Sequence, residues 1–89
     1  MQTAAEHTEM LNIHFRDWQR TRSVDLEDVV RSATVAEIVE AAREALNLPL
    51  DTSYQAVLDG RALNSLETLK EAGIEMDAEM ELIPEVHAG

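Results

Sequence analysis

One amphipathic helix, with its own start and stop signals, constrains the fold more than any other feature. Thr34 and Glu37 have the spacing of a capping box, in which each side chain binds a backbone N–H group of the first turn. Asn47 suits a helix C-terminus, and Pro49 cannot continue a helix. The sequence therefore predicts a helix over residues 35–46. Its apolar face comprises Val35, Ile38, Val39, Ala42 and Leu46, and its solvated face comprises Glu37, Glu40, Arg43 and Glu44.

Two strands are predicted before this helix. Apolar and polar residues alternate over residues 10–16, which is typical of a half-buried strand. Residues 17–23 are polar except for Trp18 and are interpreted as a hairpin connection. A second strand begins at Val24, and the loss of alternation further on predicts a bulge near Asp28.

The segment after the helix predicts further strands and a single helical turn. Asp59-Gly60 is a tight-turn dipeptide, because glycine accepts a positive φ angle without strain. One helix must cover the apolar face of the sheet, and the last strand must lie beside the first. The predicted fold class is α+β, with a mixed four- to five-stranded sheet packed on one helix. The later elements are strands at 54–58 and 62–63, a turn of helix at Leu66 and Leu69 that ends at Gly73, and a last strand with Met80, Leu82 and Ile83 that ends at Pro84.

Size and charge limit the functions that this chain can perform. Its 89 residues make one small domain with little room for a deep substrate cleft, so we expect no enzyme. The formal net charge of −11 disfavours nucleic acid and anionic membranes as partners, because both bind Lys and Arg. There is no apolar run of membrane-spanning length and no signal-peptide pattern, which predicts a cytoplasmic protein.

Candidate metal and nucleophile positions are few. The chain has no cysteine, so any thiol chemistry must come from a partner. His7, His14 and His87 lack the spacing of metal ligands, and His14 is expected to point outward from the first strand. We therefore predict no cofactor, no metal and no catalytic residue.

Several landmarks resemble ubiquitin and its relatives. The element order, the Leu48-Pro49 exit from the helix and the Asp59-Gly60-Arg61 turn lie where that family has them. Residues 69–89 resemble the closing segment of ubiquitin without a gap, and Ala88-Gly89 falls on its terminal Gly-Gly. The resemblance implies a β-grasp fold. It is greatest to prokaryotic ubiquitin-like modifiers, and we expect a bacterial protein.

The resemblance also implies a division of the chain and a mechanism. Residues 1–9 would be a flexible tail, residues 10–84 the β-grasp domain, and residues 85–89 a flexible conjugation tail. Gly89 would be adenylated by an E1-like activating enzyme, transferred to an E2-like conjugating enzyme and joined to amines of target proteins through an isopeptide bond. A deconjugating protease would reverse this step.

Two departures from ubiquitin in the tail imply a dedicated activating enzyme. Ala88 replaces the penultimate glycine, and Glu85 stands where ubiquitin has an arginine that its activating enzyme recognises. Glu85, Val86 and His87 would be the part of the tail that the activating enzyme recognises.

Other site residues follow from the same resemblance. Val57, Glu81 and Ile83 match the partner-binding patch on the open face of ubiquitin's sheet, and Trp18 is a further candidate because tryptophan is enriched at interface hot spots. Lys70 is the only lysine, so we expect a modifier that is attached singly, or that is linked into chains through Lys70 or the N-terminus of Met1. Arg61 occupies the best-known branch position of ubiquitin and is not nucleophilic.

Two alternative functions remain open at the level of sequence. A sulfur carrier shares the β-grasp fold and holds a terminal thiocarboxylate, although Ala88 argues against it. A non-conjugating ubiquitin-like module would bind partners without using the tail, although such modules tend to stop at the last strand.

Overall fold

The chain forms a five-stranded sheet with one long helix on one face. The structure is a computed structural model that describes residues 10–85. Along this range the elements are β1 (Met10–Asp17), β2 (Ser23–Val30), α1 (Val35–Ala45), β3 (Tyr54–Leu58), β4 (Arg61–Ala62), α2 (Leu69–Ala72) and β5 (Ala78–Pro84).

Helix α1 begins and ends as its local signals predict. The Thr34 hydroxyl accepts the Glu37 N–H at 3.2 Å, and the Glu37 carboxylate accepts the Thr34 N–H at 2.8 Å. Leu46 is the C-terminal cap, and Asn47 then turns the chain with a φ of 57°.

The predicted solvated face of α1 is wrong at Arg43, which is only 8% exposed. Its guanidinium group binds the Glu40 carboxylate and also donates to the Leu48 carbonyl oxygen at 3.1 Å. A buried charge is tolerated when it is paired and hydrogen-bonded in this way. Arg43 thereby fastens the loop after α1 to the helix.

The sheet has the strand order β2-β1-β5-β3-β4, so β5 lies beside β1 as predicted, and the two strands are parallel. Leu11 pairs with Val29 and Ile13 pairs with Leu26, so two residues of β2 lie opposite Asn12 alone. This is the expected bulge, and Asp28 adopts a φ of 58° there. The extra residue brings Leu26 and Val29 to the same face of the sheet.

The core lies between this sheet and α1. Its buried members come from β1, α1, β3, α2 and β5 and from the loops between them, while β2 contributes partly buried side chains such as Leu26 and Val29. The buried members are Leu11, Ile13, Phe15, Val35, Ile38, Ala42, Leu46, Leu48, Ala56, Leu63, Leu69, Ile74, Met80 and Leu82.

Two details after α1 differ from the sequence prediction. Strand β4 lies one residue earlier than expected, because Leu63 turns inward and is buried, its N–H binding the Ala56 carbonyl at 2.9 Å. Leu66 is 83% exposed and precedes the second helix. Helix α2 starts only after a second capping box at Thr68, and Gly73 ends it in the left-handed conformation.

None of the helices within residues 10–85 is long and apolar enough to cross a membrane.

Candidate interaction face and C-terminal exit

The face of the sheet opposite α1 carries three of the predicted partner residues. In the ladder between β3 and β5, Gln55 pairs with Ile83 and Val57 pairs with Glu81. Leu82, between the two β5 residues, is fully buried on the other face. Val57, Glu81 and Ile83 therefore lie together on the open face, with Val57 and Ile83 as diagonal neighbours.

Charged side chains surround this small apolar group. The Arg20 Nε lies 3.5 Å from a carboxylate oxygen of Glu81, whose side chain is 28% exposed. Arg16, Glu79 and Asp59 line the same shallow depression beside Val57. The surface is thus a mixed-charge surface with an apolar edge. It suits recognition of a protein surface better than enclosure of a small substrate.

Trp18 lies at the corner where β1 enters its loop. Its ring packs on Tyr54 with 6.0 Å between ring centroids and an interplanar angle of 35°, and the residue remains 39% exposed. Tyr54 pairs with Pro84 across the sheet. Trp18 is therefore anchored beside the end of β5, while one part of its indole stays available to a partner.

Asp17 organises the loop that carries Trp18, and the sequence analysis did not identify it. Its buried carboxylate accepts the Thr21 N–H and hydroxyl, each at 2.8 Å, and the Arg22 N–H at 3.3 Å. Burial alone would raise the pKa of Asp17, but these hydrogen bonds outweigh it and hold the pKa below its usual value. The alternation that starts at Leu11 places residue 17 on the inward face, so the sequence pattern could have predicted that Asp17 is buried.

The C-terminal exit lies next to this corner. β5 ends at Pro84, and the Glu85 N–H donates to the Ser53 carbonyl at 2.8 Å. The first residue of the predicted tail is therefore hydrogen-bonded to the chain just before β3, and its side chain is exposed. The other predicted tail residues, Val86, His87, Ala88 and Gly89, lie outside the described residues, as do residues 1–9.

The remaining candidates are dispersed. His14 points outward from β1, with Nδ1 2.6 Å from Asp25 and Nε2 3.5 Å from Asp77. The Asp25 hydrogen bond is the main cause of its raised pKa, which burial opposes and Asp77 reinforces. Within residues 10–85 no group of three or more His, Asp or Glu side chains is arranged to hold a metal ion. Lys70 is exposed on α2.

The chain matches no family model and none of the curated protein sequences compared with it. Solved structures do match. Ubiquitin of Caldiarchaeum subterraneum superposes with a TM-score of 0.74 and 27% identity, covering 91% of this chain and 100% of the other. A designed protein based on ubiquitin gives 0.74 and 24%, covering 88% and 92%. The ubiquitin-like domain of Plasmodium falciparum Dsk2 gives 0.73 and 17%, covering 86% and 100%.

These neighbours are ubiquitin and ubiquitin-like domains. Proteins of this fold are small non-enzymatic modifiers or interaction modules, which agrees with the prediction that the chain is not an enzyme. The chain has the ubiquitin-like β-grasp fold, an α+β architecture in which a mixed five-stranded sheet packs on one long helix.

Proposed function

We propose that this chain is a cytoplasmic ubiquitin-like modifier of the prokaryotic kind, attached to target proteins through the carboxyl group of Gly89. One observation carries the proposal: the match to an archaeal ubiquitin spans the whole of that chain and nine-tenths of this one. The chemistry is the same whether this carboxyl group is native or is released by processing.

The proposed reaction needs little from the modifier itself. The Gly89 carboxylate attacks the α-phosphorus of ATP on the activating enzyme, and pyrophosphate leaves. A cysteine thiolate of that enzyme then displaces AMP to form a thioester. A cysteine thiolate of the E2-like enzyme displaces the first thiolate and forms a second thioester. Finally a neutral target amine attacks the thioester carbonyl, the thiolate of the E2-like enzyme leaves, and the amine nitrogen gives up a proton as the isopeptide bond forms. A glycine at the acyl position leaves the carbonyl carbon unhindered because it has no Cβ.

Recognition by the E1-like and E2-like enzymes would use the corner described above. The Ser53–Glu85 hydrogen bond fixes where the tail leaves the body, and Trp18 and Ile83 flank that exit. Glu85, Val86 and His87 would follow into the activating enzyme. Since Glu85 is acidic, an activating enzyme whose binding site recognises a cationic side chain at this position would bind the chain poorly.

Incubation with ATP and an E1-like enzyme from the same source tests the proposal. We expect pyrophosphate exchange and a thioester that reducing agent removes. Deletion of Gly89 should abolish both without changing the thermal unfolding midpoint. Ala88→Gly is the matched tail variant and should retain both activities. Pyrophosphate exchange that survives deletion of Gly89 would refute the assignment of the reactive carboxyl group.

Chain formation gives a second test of the same function. Lys70 is the only lysine and is exposed, so polymers of this modifier through a side chain must use it. Lys70→Arg keeps the charge and should leave single attachment to targets intact while it removes lysine-linked polymers. Polymers that persist in this variant, with linkage at a side chain other than Lys70 found by mass spectrometry, would contradict the prediction.

A non-conjugating interaction module is the second candidate, because the Dsk2 ubiquitin-like domain shares the fold. The open-face group and Trp18 could bind partners without the tail. In that case deletion of Gly89 would leave partner binding and cellular function unchanged. A sulfur carrier is distinguished by the mass of the protein from cells, which would show oxygen replaced by sulfur at the terminal carboxyl group.

A further inference from the structure

A groove between α1 and β3 borders the point where the tail leaves the β-grasp domain. The buried side chains of Val35, Ala56 and Leu63 lie at its base, and the groove has a volume of ≈ 530 Å³. Val39 of α1, which is half-buried, and Leu50 of the loop after α1 also line it. Leu50 is 81% exposed. The groove therefore has an apolar lining that this chain leaves partly uncovered.

The polar groups of the groove favour an apolar occupant over a charged one. Among the described lining residues the one cation is Arg43, and its guanidinium group is bound to the Glu40 carboxylate and to the Leu48 carbonyl oxygen. An anionic ligand would also meet Glu85, which lines the groove at the tail exit. The uncharged polar lining residues are Thr52, Ser53, Tyr54, Gln55 and Ser65. An apolar side chain whose backbone hydrogen-bonds to such groups is complementary.

The length of the tail indicates which protein comes close to this groove. The Glu85 N–H is bound to the Ser53 carbonyl oxygen at 2.8 Å, so the start of the tail is fixed beside the groove. Residues 86–89 can span at most about 14 Å from Glu85 to the end of the chain. An enzyme that acts on the Gly89 carboxyl group must bring its reaction centre within that distance. Its surface therefore approaches the residues around Glu85, which include the groove.

We propose that the E1-like activating enzyme inserts an apolar side chain of a surface loop into the α1–β3 groove while it holds the tail. This side chain lies over Val39 and Leu50, and the loop backbone hydrogen-bonds to the uncharged polar groups of the lining. The inference rests on the proposed function and deepens it, because it assigns the activating enzyme a contact separate from the tail and from the open-face group.

Pyrophosphate exchange by the E1-like enzyme from the same source, measured against modifier concentration, tests the inference. Leu50→Ala should raise the KM for the modifier roughly fivefold and leave kcat nearly unchanged, because the contact lies away from the reacting atoms. Leu66→Ala is the matched control, since Leu66 is 83% exposed and is not part of the groove lining. Its KM should change by less than about twofold.

A pair of arginine variants on α1 locates the contact. Ala36 is exposed and lines the groove, so Ala36→Arg should raise the KM at least about tenfold by filling it. Ala41→Arg is the matched control, because Ala41 is exposed on the same helix but lines the opposite side, towards β2. Calorimetric binding of the chain lacking Gly89 should give the same order of variants without any reaction. Thermal midpoints of all the variants verify folding.

The outcomes separate this inference from the function on which it rests. Normal exchange with the same KM for Leu50→Ala, Ala36→Arg and the unaltered chain would overturn the groove contact and leave the modifier function standing. Absence of exchange by the unaltered chain would refute the modifier function and the groove contact with it. Self-association in sedimentation without the enzyme, abolished by Ala36→Arg, would show that a second copy occupies the groove and would also overturn the inference.

Discussion

The contact between Trp18 and Tyr54 allows the structural role of Trp18 to be separated from a role in partner binding. Trp18 is 39% exposed, so roughly three-fifths of its surface is buried. For a residue that buries about 250 Å² at most, this is roughly 150 Å², or ~3–4 kcal/mol at ~25 cal/mol per Å². This is an upper estimate because the unfolded chain already buries part of that area. We therefore expect Trp18→Ala to lower the free energy of unfolding by about 2–3 kcal/mol.

A double-mutant cycle isolates the ring contact itself. Centroids 6.0 Å apart lie within the range in which aromatic pairs interact, at about 0.5–1.5 kcal/mol beyond their burial. Trp18→Ala, Tyr54→Ala and the double variant, unfolded with urea, should give a coupling in that range. Because Trp18 is the only tryptophan, unfolding of all the variants is followed by far-UV circular dichroism, which does not need it. Leu66→Ala, at a site 83% exposed, should change stability by less than about 0.5 kcal/mol.

The reasoning fails if the coupling is below ~0.3 kcal/mol, the level at which independent sites add. A functional role needs a second measurement. If Trp18 also contacts a partner, Trp18→Ala should weaken thioester transfer more than Tyr54→Ala does when both are assayed well below their unfolding midpoints. Equal effects would make Trp18 a structural residue and remove it from the partner surface.

Three further outcomes follow from the polar contacts. Thr34→Ala should cost about 1 kcal/mol of unfolding free energy and Thr34→Ser much less, because the hydroxyl accepts the Glu37 N–H at the start of α1; equal losses in urea unfolding would contradict this. The folded-state pKa of Asp17 is depressed below 3.8, so the contribution of its carboxylate to stability is present above pH 3.8 and is lost as pH falls through the folded pKa. Asp17→Asn should therefore reduce the loss of unfolding free energy on acidification. An unchanged acid dependence of the unfolding free energy would refute the assignment. The pKa of His14 is raised above 6.5, so the contribution of the charged imidazole to stability is complete below pH 6.5 and is lost as pH rises through the folded pKa. Titration of the imidazole by NMR should show that Asp25→Asn lowers this pKa more than Asp77→Asn does. The opposite order would be inconsistent with the geometry.

Local signals account for most of the fold. The capping box, the alternation in β1 and the Asp59-Gly60 turn each depend on residues within one turn or one hairpin, and each lies where the sequence predicts it. The bulge at Asp28 could be predicted as well, because a break in alternation is itself a local signal. The position of the last strand beside the first could also be predicted, whereas their parallel direction is established by the structure.

The errors have two sources, which are burial of a side chain by a loop at Arg43 and a local capping box at Thr68 that the sequence analysis missed. Arg43 has the position of a solvated helix residue, and its burial depends on the loop after α1 returning to offer the Leu48 carbonyl. Leu66 has helical spacing to Leu69, but the Thr68 cap starts α2 beyond it. For the candidate site, the resemblance to ubiquitin implied that Val57, Glu81 and Ile83 share one face. The Glu81–Arg20 ion pair depends on the fold of the β1–β2 loop and could not be predicted.

The β1–β2 loop carries Trp18 and is hydrogen-bonded both within itself and to the end of α1. The Asp17 carboxylate holds Thr21 and Arg22, and the Arg22 guanidinium donates to the Leu46 carbonyl at the end of α1 at 2.9 Å. The segment that carries Trp18 is therefore fastened at its base and to the helix. A partner that binds Trp18 has little loop freedom left to restrict, and preorganisation of this kind favours affinity. Asp17→Asn should consequently weaken partner binding as well as acid stability, although Asp17 is buried away from any partner.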